Sequence, residues 1–347
     1  MPGPDPASNG PSRFESLCFR VAPLAACAVA TVACLIAGPA WSVAAAPWPW
    51  IVSLVFVGLP HGAADLAVTR CVGRGPATVA GLCAGYAVVM AVAAAAFALA
   101  PVPVLMAFVA LSGWHFGAAH ADTQQPPPAK RRGTLPLAAI ARGGPVLGIP
   151  LAAWPEASAS VAASVVALAG ASPTLSSAAV RAVGIALVAL GAAALAAEAW
   201  RTRADPGGPA RSRATLVDLA LIGVLEAVAA PLFSVGCYFL GWHAWRHMRL
   251  LAPTLGVGPI DGPRALGAAL WRIHAAALPL LVPTWALVAA AWWWLPAANL
   301  PRDPRGLAIL SLAVYVVVTP SHDLLMDWWR CRRTARADQP VTSVAAR

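Results

Sequence analysis

The chain holds seven histidines, His61, His115, His120, His243, His247, His274 and His322. Each falls in or at the edge of an apolar run, and none falls in the long polar connections. Imidazole can bind a transition metal and can also exchange a proton near neutral pH. Such a group is expensive in an apolar helix, so it marks a functional site by default. His243 and His247 are four residues apart in Gly241-Trp242-His243-Ala244-Trp245-Arg246-His247. That spacing sends both rings from one helix face, where they can chelate a single ion. Three others sit in Gly58-Leu59-Pro60-His61-Gly62-Ala63-Ala64-Asp65, Gly113-Trp114-His115-Phe116-Gly117 and Thr319-Pro320-Ser321-His322-Asp323. The glycines let helix backbones approach closely, and Pro60 and Pro320 can bend the helices just before their histidines.

Histidine ligands suit iron, zinc, copper or nickel, so ligand type alone does not choose the metal. A metal-bound histidine donates its second ring N–H to a carboxylate or a carbonyl. Asp65, four residues after His61, and Asp327, five after His322, are candidates for that role. Trp114, Phe116, Trp242 and Trp245 stand beside the histidines and are candidates to line a substrate cavity. The seven cysteines form no C-x-x-C pair and lie mostly in apolar runs, which argues against a zinc or disulfide framework.

The elements that must position these residues are membrane helices. Hydrophobic residues make up 59% of the chain and charged ones 11%, with a mean hydropathy of +0.70. A soluble domain would carry about a quarter charged residues. The chain therefore reads as an all-α, polytopic transmembrane bundle of about 8–10 membrane helices. Candidate spans are 20–42, 48–70, 76–99, 101–122, 134–154, 178–200, 215–234, 236–252, 266–297 and 306–329. Segment 156–177 is either a short re-entrant helix or an external loop. A polar tail (1–19) precedes the membrane domain (20–329), a basic tail (330–347) follows it, and linkers lie at 123–133 and 201–214.

The net charge of +10 comes from short clusters between the apolar runs: Lys130-Arg131-Arg132, Arg201 to Arg213 and Arg330 to Arg336. This is the pattern of cytoplasmic loops, and it does not call for a nucleic-acid partner. It predicts a cell-membrane protein with both termini cytoplasmic. Trp48, Trp50 and Trp292 to Trp294 read as interfacial anchors. In this topology the helices bearing His61, His115, His243 with His247, and His322 all run inward. Their histidines share one layer, roughly 10–13 Å from the cytoplasmic boundary. A common site accounts for that shared depth.

Taken in order, Pro60-His61-Gly62-Ala63-Ala64-Asp65, His115-Phe116-Gly117, Trp242-His243 with Arg246-His247, and Pro320-Ser321-His322 resemble the Brp/Blh family of membrane β-carotene 15,15′-dioxygenases, found alongside microbial rhodopsins. The resemblance covers residues 50 to 330, nearly the whole apolar chain. It implies Fe(II) held by His61, His115, His243 and His247, with His322 as a fifth ligand or a supporting group, and His120 close by. It further implies β-carotene and O₂ as substrates, retinal as product, and a functional link to a rhodopsin. Two positions depart from the family pattern: His120 stands where it has an aspartate, and Ser321 separates Pro320 from His322. The residues alone leave two other readings open, a haem-binding membrane cytochrome and a histidine-metal oxidase acting on another lipid. The H-x-x-H-H box of di-iron desaturases is absent.

Overall fold

The computed structural model describes residues 12–72, 75–124, 135–172, 174–296 and 300–337. The cluster Lys130-Arg131-Arg132, Arg74 and the outer parts of both tails lie outside the described residues. The described chain is helical throughout, with short connections and no strand. Eight helices are long and apolar enough to cross a membrane: α1 (Arg13–Ala37), α2 (Pro39–Arg70), α3 (Pro76–Leu99), α4 (Pro101–Gln124), α5 (Leu135–Ala153), α7 (Ser177–Thr202), α10 (Pro263–Trp294) and α11 (Pro304–Arg330, helical to Ala337). Between them lie α6 (Pro155–Ala167), α8 (Gly208–Val228) and α9 (231–251).

Helix breaks fall at special backbone positions and not at dips in hydropathy. Gly38, at φ +77°, ends α1, and Pro39 opens α2, so the expected boundary between residues 42 and 48 moves upstream. Ala229 and Ala230 are extended ahead of Pro231, which places the next boundary earlier than the expected 234–236. Segment 156–177 is mostly the 13-residue helix α6. At 1.5 Å per residue α6 is about 20 Å long, too short to span.

Burial ranks the spans. The apolar 18-residue stretches of α2 and α11 are each 61% buried, whereas that of α3 is 6% buried. Helix α5 packs between α4 and α7 at backbone contact: a Cβ added at Gly117 would lie 1.8 Å from the Ala139 carbonyl oxygen. Two of the four helices bearing the histidine layer, α2 and α11, are thus the most buried of the spans.

Two of those helices contain a wide, π-helical turn, Ser53–Val57 in α2 and Tyr238–Ala244 in α9. Such a turn loosens the regular i→i−4 ladder and releases carbonyls that lipid cannot satisfy. Neighbouring side chains take them up. Trp285 Nε1 donates to Leu54 at 3.0 Å, His274 Nε2 to Phe56 at 2.7 Å, and His61 Nδ1 lies 3.3 Å from the Val57 oxygen. His274 is therefore a packing residue that ties α10 to α2.

Candidate metal centre

Four helices bring five buried imidazoles together: His61 from α2, His115 from α4, His243 and His247 from α9, and His322 from α11. Neighbouring ring centroids are 4.7 to 5.9 Å apart. His61, His115 and His322 each place one ring nitrogen within 4.8 Å of the others'. The Nε2 atoms of His115 and His243 are 3.1 Å apart. Two nitrogens bound at right angles to one ion, with bonds of about 2.1 Å, would be about 3 Å apart.

The local backbone makes this convergence possible. The wide turn at 53–57 leads directly into His61, and the turn at 238–244 contains His243. Gly58 sits where the two meet: a Cβ there would be 1.8 Å from Ser53 Oγ and 2.6 Å from the Phe239 ring. A side chain at position 58 would drive α2 and α9 apart at the level of the cluster.

Three histidines are held at Nδ1. His115 Nδ1 donates to Asp323 Oδ1 at 2.9 Å, and His322 Nδ1 donates to Asp65 Oδ2 at 2.7 Å. His61 Nδ1 faces the Val57 carbonyl. Donation from Nδ1 fixes the tautomer that leaves the Nε2 lone pair pointing into the cluster. The buried His322 Nε2 and both ring nitrogens of His247 have no protein partner. Buried imidazole nitrogens without partners are costly in an apolar interior, and a metal ion is the occupant that would satisfy several at once. The residues present fit a metal.

His61, His115, His243 and His322 line one wall of an apolar cavity of about 330 Å³. Phe116 and Phe239 flank the histidines, and Trp50, Tyr86, Phe108, Leu312 and Tyr315 extend the lining. Small-molecule pockets of roughly 300–1,000 Å³ with an apolar lining and a few convergent polar groups are typical substrate sites. Along α2 the lining runs from Trp50 to Thr69, with His61 between them.

A family model described as β-carotene 15,15′-dioxygenase matches residues 52–330. The chain belongs to that family. The curated protein named "Probable beta-carotene 15,15′-dioxygenase Blh", from Halobacterium salinarum, is 33% identical over 307 residues, covering 81% of this chain and 83% of the relative. No solved structure matches. All five clustered histidines, and both aspartates bonded to them, lie inside the stretch matched by the dioxygenase family.

Several expected site residues sit elsewhere in this dioxygenase-family chain. Asp65 serves His322 on α11, not His61 on its own helix. Asp327 pairs with Arg330 at 2.5 Å one turn along α11, and its side chain is 42% exposed, so it does not support the cluster. His120 faces Asp218 at 3.2 Å instead of joining the five rings. Of the four aromatics proposed as lining, only Phe116 borders the cavity. Trp245 stacks on Phe19 and donates to the Cys18 carbonyl, Trp242 lies under the Arg246 guanidinium, and Trp114 is half-buried outside the lining. Trp50, read as an interfacial anchor, is buried and donates to the Leu232 carbonyl at 2.6 Å. Asp323 escaped the sequence reading because it serves a histidine on another helix. Its only signal was a carboxylate next to His322 in an apolar run.

Proposed function

We propose that this chain is a membrane-embedded, non-haem iron dioxygenase that cleaves β-carotene at its central 15,15′ double bond with O₂, giving two molecules of all-trans-retinal. The observation that carries the reading is a cluster of five buried histidines, four of which line the wall of an apolar cavity, in a chain of the β-carotene 15,15′-dioxygenase family. His61, His115, His243 and His247 would hold Fe(II), with His322, whose Nε2 has no protein partner, as a fifth ligand or a supporting group. Bound there, the metal supplies activation of O₂.

The protein contributes position and environment. Asp323 and Asp65 keep the protons of His115 and His322 on Nδ1 and so hold both rings in register. The aromatic and aliphatic walls align a rod-shaped polyene and exclude water from its central bond. Both oxygen atoms end as the two aldehyde oxygens when the double bond breaks, so the reaction needs no external reductant. A lipid-soluble substrate reaches such a site from the bilayer between helices. In this reading both termini face the cytoplasm of the cell membrane, and retinal leaves to serve a microbial rhodopsin. Five converging histidines exceed the one or two that a haem takes, which disfavours the cytochrome reading.

The test is expression in cells that accumulate β-carotene, followed by chromatography of the extracted pigments. Retinal should appear at the expense of β-carotene, and His243→Ala should abolish it. Unchanged β-carotene alongside folded, iron-loaded protein would overturn the assignment.

A further inference from the structure

The five clustered histidines are not held alike. His61, His115 and His322 have a carbonyl or carboxylate at Nδ1, whereas His243 Nδ1 and both nitrogens of His247 have no protein partner. Next to these two lies a second void of about 10 Å³ between α4 and α9, close to the roughly 10–15 Å³ that a single water needs. Its lining includes His120, Trp242, His243, Arg246 and His247. Each of these five residues carries a buried side-chain nitrogen without a partner: His120 Nδ1, Trp242 Nε1, His243 Nδ1, Arg246 Nε and Nη2, and the His247 pair. Five orphaned residues around one water-sized space is not the lining of a dry apolar void. A polar lining also selects water over O₂, which gains nothing from N–H groups.

We propose that this void is a binding site for one buried water, which donates to His120 Nδ1 and accepts the outer N–H groups of His243 and His247, with Arg246 packed beside it. A water makes two to four such bonds and can satisfy groups that no protein atom reaches. His120 and Arg246 are then positioning residues. They are themselves fixed by Asp218, which lies 3.2 Å from His120 Nε2, 3.6 Å from Arg246 Nη1 and 3.0 Å from Gln124 Nε2. His120 thereby gains a role outside the metal's own ligands: it replaces, through a water, the carboxylate that His115 and His322 bind directly.

This inference rests on the reading of the cluster as a metal site, and the experiment separates the two. The full chain in detergent is titrated with Co(II), and binding is followed by visible absorption, with melting temperature recorded in parallel. Losing an outer partner of a metal-bound histidine costs roughly 10–100-fold in metal affinity. His120→Leu should weaken Co(II) by that factor, while His120→Gln, which keeps a polar group on the void, should bind within a few-fold of the parent. Ala119→Val leaves every hydrogen-bonding group in place and fills only the space. It should weaken Co(II) like His120→Leu, and it decides the question alone if the leucine variant does not fold. If Ala119→Val and His120→Leu hold Co(II) as tightly as the parent, the water site is wrong and the metal site stands. If the parent binds no Co(II), the metal reading itself fails.

Discussion

Two regions on either side of His120 and the histidine cluster are built from opposite materials. One is the cavity, walled by Phe108, Phe116, Phe239, Leu312 and Tyr315 and bordered by the little-buried helix α3. The other is a charged network spanning α4, α5, α7 and α8. Arg142 donates to Glu198 at 2.7 Å, to Gln124 and Thr215 at 3.1 Å, and to the Ala138 carbonyl at 3.0 Å, while Gln124 donates to Asp218. Arg142 is 2% exposed. Charges at that depth are tolerated only when each has a partner, so this region locks its helices to one another. The cavity has slack, and its cross-helix carboxylate bonds are confined to the histidine wall. The contrast separates the region that admits a substrate from the region that fixes the helices around it.

Three substitutions sharpen the contrast. The largest stability loss is expected for Arg142→Met, which strands Glu198 without its cation. It should cost about 3–5 kcal/mol, read by denaturation in detergent, and adding Glu198→Met should restore most of it. Val109→Phe puts bulk into the cavity. It should lower kcat/KM for β-carotene by about tenfold, equivalent to about 1.4 kcal/mol, with melting temperature and iron content unchanged. If it destabilised the fold as strongly as Arg142→Met, the distinction between the two regions would collapse. Trp245→Phe is the smallest change. It loses only the bond to the Cys18 carbonyl, about 0.5–1.5 kcal/mol, and retinal yield should not move. A strong loss of yield would return Trp245 to the substrate path from which its position removes it.

The bundle was legible because lipid imposes a length and a composition on every span. Helix boundaries were less so, since Gly38-Pro39 and Ala230-Pro231 end helices inside continuous apolar runs. The cluster was legible because histidines are rare in apolar helices, and a shared depth needs only helix direction and a residue count. Rotation about each helix was not legible. His120 lies five residues after His115 and so turns away from it, toward Asp218. Asp327 likewise turns away from His322 toward Arg330. Trp242 and Trp245 adjoin cluster histidines in sequence and point to Arg246 and Phe19. Adjacency along a helix separates side chains by about 100°, so a residue beside a ligand is a poor candidate for sharing its surroundings. The partners Asp323 and Asp65 cross between helices, which no spacing within one helix encodes.

The wide turns at Ser53–Val57 and Tyr238–Ala244 bear on how chains of this kind can change length. A π-helical turn accommodates one residue more than regular helix without disturbing the helix on either side. Deleting a residue there relaxes the turn to ordinary helix and leaves the flanking faces where they were. The same deletion elsewhere between Pro39 and His61 would swing the imidazole by about 100°, off the cluster. Single-residue gaps between aligned relatives should therefore collect at these two turns, which makes them the safe points for insertion and deletion in the helices that carry the site.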